Sequence, residues 1–286
     1  MKKADAILLA DVHLRETVPV CRTDNYEEAQ WHKLGFIKGL QMKHGCPVLC
    51  GGDLFHHWKP SPELISKTID FLPKQFYTVY GQHDLPQHSL ELAYKSGVWT
   101  LAKANALTVL HKFHWGITPD KKSSGIMINQ NVAVWHHFAY RGKLPWPGYE
   151  GPTAKAILKK YPQFDLILTG DNHQTFVQEY KGRLLVNPGS IFRQTADQIN
   201  HKPCVFLWYA KTNTVEQVFI PIAKDVISRE HLEKQEERND RIDSFISSLN
   251  TNWESSLSFE RNLKRFYGKN KVQERVKQII TESLEV

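Results

Sequence analysis

Five short apolar runs in this chain each end beside an acidic, imidazole or amide side chain, and helical segments alternate with them. Residues 6–9, 48–50, 76–79, 132–135 and 166–169 are short apolar stretches with Thr78 and Thr169 as their polar members, the pattern of strands covered on both faces. They lead into Asp11-Val12-His13, Gly52-Asp53-Leu54-Phe55-His56, Gly81-Gln82-His83-Asp84, Trp135-His136-His137 and Gly170-Asp171-Asn172-His173. Helices are expected over 26–44, 62–71, 89–96 and 153–160, and such alternation argues for a layered α/β core with helices outside. Residues just past the carboxyl ends of strands converge on one crevice in an open α/β sheet. Carboxylates, imidazoles and an amide oxygen gathered there make a hard-to-borderline donor set suited to two divalent metals. That chemistry activates water and breaks phosphate esters. Each segment alone is a weak signal; five in order, each at a strand end, are not five coincidences.

The pattern changes after Thr175. Residues 175–180, 183–187, 205–209 and 215–220 read as consecutive strands joined by turns such as Lys181-Gly182 and Lys211-Thr212-Asn213. The expected fold is α/β, a two-sheet β-sandwich flanked by helices. From Asp225 the chain becomes helical and charged, with Ile242, Phe245, Ile246 and Leu249, and then Val272, Val276, Ile279 and Ile280, at helical spacing. The expected division is therefore a catalytic domain over 1–224 and a helical extension over 225–286. The apolar stripes of the extension must be buried, against the core, a second copy or a partner.

The formal net charge of +7 is unevenly placed. Lys and Arg outnumber Asp and Glu by 26 to 18 over residues 1–224, and are balanced at 11 against 12 beyond. A basic excess on the catalytic part suits a polyanion such as DNA. Two loops, 115–124 and 139–151, mix Gly, Pro, Lys and aromatics. The second contains Tyr140, Arg141, Lys143, Trp146 and Tyr149, which suits either contact with unstacked bases or packing of the loop on its own domain. The four cysteines form no CxxC pair and indicate neither a zinc knuckle nor a disulfide framework. The short apolar run after Lys2-Lys3 is neither a signal peptide nor a membrane span, so a cytoplasmic location is expected.

The five segments resemble the calcineurin-like metallophosphoesterases, whose pattern is DxH, GD, GNHD or GNHE, a strand-end His, and GHxH. Gly52-Asp53-Leu54-Phe55-His56 with Lys59-Pro60-Ser61, and the later Asn187-Pro188-Gly189-Ser190, are similar to the SbcD-type DNA-repair nucleases within that superfamily. The resemblance covers roughly residues 5–222. It implies that Asp11, His13 and His173 bind a first metal, that Asp53 bridges two metals, and that His136, rather than His137, binds the second. Gln82 stands where Asn is usual and Asp171 where the first His of GHxH is usual. Both still offer an oxygen, and the harder second site favours Mn²⁺ or Mg²⁺. The resemblance further implies that His83 is the catalytic His, with Asp84 orienting its ring, and that His56 contacts the scissile phosphate. The implied activity is a two-metal deoxyribonuclease. The implied partners are DNA, a coiled-coil ATPase subunit of SbcC type and a second copy of the chain, and a full capping domain is expected to be absent or much reduced. The alternatives are a metallophosphoesterase acting on small esters or cyclic nucleotides, and a scaffold that kept the fold and lost catalysis.

Overall fold

Strand β1 (Ala6–Leu9) is buried at every position, and its two faces serve different cores. Ile7 and Leu9 pack with Trp31, Leu34, Ile37 and Leu64 of the helices on one side. Ala6 and Leu8 pack with Val134, Leu168 and Trp208 on the other. Side chains alternate along a strand, so a run apolar at every position can only be satisfied between two layers. The computed structural model describes residues 2–110, 131–252 and 259–284.

The first sheet runs β10-β9-β1-β2-β3-β4, with β2 Val48–Cys50, β3 Phe76–Thr78, β4 Thr108–Val109, β9 Cys204–Tyr209 and β10 Thr214–Phe219. Strands β1 to β4 are parallel, β9 adds antiparallel to β1, and β10 adds antiparallel to β9. The second sheet runs β5-β6-β8-β7, with β5 Val132–His136, β6 Leu166–Gly170, β7 Phe176–Tyr180 and β8 Arg183–Asn187. Here β5, β6 and β8 are parallel, and β7 turns back on β8 through Lys181 and Gly182 at φ 52° and 73°, the geometry of a tight hairpin. Helices α1 (Tyr26–His44) and α2 (Pro62–Phe71) contribute to the first core, and α4 (Ala154–Lys160) lies on β7 and β8. The α/β two-sheet fold with flanking helices is as expected.

Helix ends follow local chemistry. The Asn25 side chain accepts from the Glu28 amide at the start of α1, and Gly45 at φ 68° closes it. Ser61 caps α2 ahead of Pro62. The helix expected over 89–96 is different: Pro86–His88 and Leu90–Lys95 are 3₁₀ turns broken by Gln87 at φ 51°. The α-helix α3 begins later, at Gly97–Lys103, where Ser96 accepts from the Trp99 amide. The strands after Thr175 do not form one sheet, since the β7–β8 and β9–β10 hairpins join opposite sheets.

The chain divides into two compact units, Met1–Ser228 and Arg229–Val286. Val226 to Ser228 belong to the first, because the Val226 carbonyl accepts from Thr23 and the Ser228 amide donates to Cys21. The expected break after residue 224 falls short of these bonds. The second unit holds α5 (Glu230–Asn252), α6 (Phe259–Lys269) and α7 (Glu274–Leu284). The Phe245 and Phe266 rings meet edge-on at 5.4 Å, and Ile242, Ile246, Val276 and Ile279 are exposed. The Leu249 side chain and loop 115–124 lie outside the described residues. All four cysteines are buried free thiols. No helix among the described residues is long and apolar enough to cross a membrane.

Candidate metal centre

Four residues just past strand ends hold a backbone conformation that L-residues avoid. Asp11, His13, Asp53 and Asp171 have φ of 51°, 49°, 53° and 79°, and each such residue costs about 1–2 kcal/mol. A ladder between the loops holds them there. The Asp11 amide donates to Gly52 at 3.1 Å, His13 to Asp53 at 2.9 Å, and Leu14 to Leu54 at 2.9 Å. The Asp171 amide donates to the Asp11 carboxylate at 2.9 Å. Glycine is required where these loops meet: a methyl group on Gly81 would overlap the Asp53 carboxylate, and one on Gly52 would strike the His136 ring.

The donors form two groups. Asp11, His13 and His173 bring ligand atoms within 4.8 Å of one another, as do Asp11, Asp53 and His136. Asp53 Oδ2 stands 3.6 Å from His13 Nε2 and 3.4 Å from His136 Nε2, between the groups. The His13 and His173 Nε2 atoms are 3.2 Å apart. His136 Nδ1 lies 2.7 Å from the Gly51 carbonyl. A carbonyl only accepts, so the proton sits on Nδ1 and Nε2 is left as the ligand atom. Gln82 Oε1 is 2.5 Å from that Nε2, while its Nε2 donates to Asp171 Oδ1 at 2.8 Å. Both unusual residues are thus brought to the second group. His137 is not in either group.

These side chains fit divalent cations. Asp11 Oδ2 and Asp53 Oδ2 are buried without a hydrogen-bond partner, an expensive state for carboxylates unless a cation completes them. Neighbouring ligands around an octahedral ion with bonds of about 2.1 Å lie about 3 Å apart, near the spacings seen here. The electrostatics agree. Burial, reinforced by Asp53, pushes the Asp11 carboxyl up to about 7 against the pull of His136. Burial opposes charge on Asp53 and His136 too, but their pairing outweighs it, holding Asp53 well below the carboxylate range and lifting His136 to about 10, so a proton on His136 Nε2 stands where a cation would and must leave when one binds. His13 is held well below its usual value by burial, keeping the ring neutral as a ligand must be.

His83 stands beside this centre. Its ring meets His13 edge-on at 4.8 Å and stacks on His56 at 5.4 Å, and ligand atoms of His13, His56 and His83 form a third close group. Asp84 does not orient the His83 ring. It is fully buried and its two oxygens accept from the Leu54, Phe55 and Gly81 amides at 3.2, 3.0 and 3.0 Å. The ring is held instead by the His56 carbonyl, 2.8 Å from Nδ1. Asp84 clamps the loop bearing Asp53 to the loop bearing Gln82 and His83, and the Asp53 carboxylate in turn accepts from the His83 amide at 2.9 Å.

A cavity of about 240 Å³ opens beside the rings, and Arg15, His56, His83, Phe192 and Gln194 contribute to its lining. Arg15 and Gln194 are additions to the sequence-derived site. Gln194 donates to the His13 carbonyl at 2.9 Å and to the Tyr26 hydroxyl at 2.6 Å. Arg15 was findable as a cation two positions beyond His13, whereas Gln194 lies in a stretch with no periodic signal. Asn172 is buried and structural, bonding the Ala139 carbonyl and the Gln174 amide. In loop 139–151, Tyr140, Trp146 and Tyr149 cluster with Phe138 at ring separations of 4.7–5.6 Å, so these aromatics pack on one another, and Trp146 remains 49% exposed.

A model of the calcineurin-like phosphoesterase superfamily domain matches residues 6–207. A search of curated proteins finds none that matches. Among solved structures, an archaeal phosphodiesterase is 12% identical with a TM-score of 0.44, covering 75% of this chain and 99% of that one. Vacuolar protein sorting 29 from Cryptosporidium parvum is 16% identical with a TM-score of 0.37, covering 78% and 100%. A protein described as a 5'-nucleotidase from Staphylococcus aureus is 16% identical with a TM-score of 0.44, covering 82% and 58%. Likenesses this distant do not specify a substrate. The family match spans every strand end that carries a candidate ligand, and the chain belongs to the calcineurin-like phosphoesterase superfamily.

Proposed function

We propose that this protein is a two-metal-dependent phosphodiesterase acting on DNA, the nuclease subunit of an SbcD-like complex. The observation that carries the catalytic part is the pair of donor groups meeting at Asp53, with unpartnered oxygens on Asp11 and Asp53. Asp11, His13, Asp53 and His173 would hold one cation; Asp53, Gln82, His136 and Asp171 would hold the other. The oxygen-rich second set favours Mn²⁺, with Mg²⁺ next. When bound, such ions polarise a phosphate and lower the pKa of water enough to make a nucleophile at neutral pH.

The chain's own residues do the rest. With Nδ1–H donated to the His56 carbonyl, His83 can carry a second proton on Nε2 and deliver it to the leaving alkoxide oxygen. Burial, with the Arg15 and His83 charges, lowers His56 to about 4. Arg15 lines the same cavity and supplies a fixed positive charge. DNA as substrate is supported by the Gly52–His56 signature and by the basic excess over residues 1–224. The coiled-coil ATPase partner and a second copy are proposed for the exposed apolar positions of α5 and α7. A catalytically weakened scaffold is the second reading, favoured by the hydrogen bonds that already engage both unusual ligands, Gln82 and Asp171.

Asp53→Asn tests the assignment, because it removes charge seen by both ions. In Mn²⁺ the variant should cut linear DNA at least about a hundredfold more slowly than wild type. Equal rates would sink the metal-centre reading. Wild type that hydrolyses small phosphodiesters but not DNA would reject the nuclease reading alone.

A further inference from the structure

Three cations that the proposed chemistry does not use are buried together away from the metal centre. Arg22, Lys33 and Arg193 are 9%, 6% and 5% exposed, and all three line a cavity of about 240 Å³ whose only carboxylate among the described residues is Asp24. Apolar residues Phe36, Ile220 and Ile222 complete much of the wall. Buried charges are normally paired, since an uncompensated one costs several kcal/mol. Here Asp24 is committed to Arg22, accepting from Nε at 2.8 Å and Nη2 at 2.6 Å. Arg193 has only backbone carbonyls as acceptors, Ile199 at 3.3 Å and Ala223 at 2.9 Å, and its buried Nε has no partner. Lys33 donates to the Ile191 carbonyl at 2.9 Å and lies over the Phe192 ring, 5.0 Å from its centre, with no carboxylate partner among the described residues. One carboxylate, already engaged by Arg22, thus faces three basic side chains, and neither Arg193 nor Lys33 has an anionic partner among the described residues.

We propose that this cavity is a binding site for a phosphate-type dianion. Arginine presents five N–H donors in a fork that matches tetrahedral oxyanions, and the bonds above leave donors on both guanidiniums and on the Lys33 ammonium. The volume lies below the roughly 300–1,000 Å³ of sites for whole small molecules, so the group recognised is the phosphate itself, free or as the terminus of a monoester. Burial and the two arginines push Lys33 down to about 7, the mark of a cation lacking its anion. The site is distinct from the metal centre but shares the segment behind it. Lys33 and Arg22 hold the Ile191 and Arg193 carbonyls, while the Ile191 amide donates to Asp11 and Gln194 reaches His13.

The test is calorimetric titration of metal-chelated full-length protein with inorganic phosphate at constant ionic strength. Chelation separates this site from the proposed catalytic one. Saturable 1:1 binding is expected, at least about tenfold weaker in Lys33→Met and in Arg193→Gln. Lys155→Gln, on α4 and outside the lining of both cavities, should bind phosphate like wild type. Tighter binding of adenosine monophosphate than of phosphate would identify a monoester as the ligand; equal or weaker binding would identify the free ion. Selenate soaked into wild-type crystals, located by its anomalous signal, gives an answer that needs no substitution. No saturable binding in wild type, binding unchanged in folded Lys33→Met, or selenate absent from the cavity would overturn the proposal.

Discussion

Replacing Asp84 by Asn should weaken the fold rather than switch off proton transfer. Its two carboxylate oxygens serve three buried backbone N–H groups, those of Leu54, Phe55 and Gly81. Asparagine has one acceptor oxygen, and its NH₂ must face an N–H where the second oxygen stood. At least one amide and the new NH₂ are then unpaired, each at about 1–3 kcal/mol, so a loss of about 2–6 kcal/mol follows. For a unit of this size that corresponds to a fall in Tm of roughly 5–25 °C. The pH dependence has a definite sign. Burial, then the Asp53 charge, raises the Asp84 carboxyl from 3.8 to about 7. A folded pKa above the unfolded one gives stability that is full below about pH 4 and lost as pH rises through about 7. Asparagine does not titrate, so the deficit of the variant should be larger at pH 5 than at pH 8. Thermal denaturation with chelated metal, at both pH values, measures this. An unchanged Tm with a displaced pH–rate profile would mean that Asp84 acts on the His83 ring after all, and a deficit that grows with pH would refute the electrostatic argument.

Other outcomes follow from the same geometry. His83→Ala should keep both metals by calorimetric titration while slowing cleavage about 10²–10⁴-fold; loss of metal would make His83 a ligand, as its closeness to His13 and His56 allows. Asp171→His with Gln82→Asn replaces an oxygen donor with nitrogen in the second group and should move the metal preference from Mn²⁺ toward Zn²⁺ or Fe²⁺, with an unchanged preference across a panel of ions removing both residues from the metal shell. Ending the chain after Ser228 should leave a soluble first unit with full metal content, because no candidate ligand lies beyond His173. Light scattering with and without a coiled-coil ATPase should then show loss of self-association or partner binding, whereas unfolding of the truncated protein would make α5 to α7 part of its core.

Much of this was legible along the chain because the signals are local. Runs such as Ala6–Leu9 and Val48–Cys50 are apolar at every position because two layers cover them. The ends of α1 and α2 are marked by Asn25, Gly45, Ser61 and Pro62, side chains that satisfy or preset the terminal backbone. The strand ends fixed which residues could share a crevice, and every expected ligand is at it or hydrogen-bonded into it. What stayed hidden depends on partners brought from elsewhere. Asp84 follows His83 directly, so a dyad was the natural expectation, yet loop closure offered its carboxylate the Leu54 and Phe55 amides from a remote strand end beside the local Gly81 amide, and gave the ring to the His56 carbonyl. The left-handed conformations of Asp11, His13, Asp53 and Asp171 leave no trace in composition, because the strain is held by the loop-to-loop ladder. Arg22, Lys33 and Arg193 read as ordinary surface cations in sequence. Only packing decided that they are buried together with one carboxylate, since burial and charge balance are properties of a neighbourhood and not of a segment.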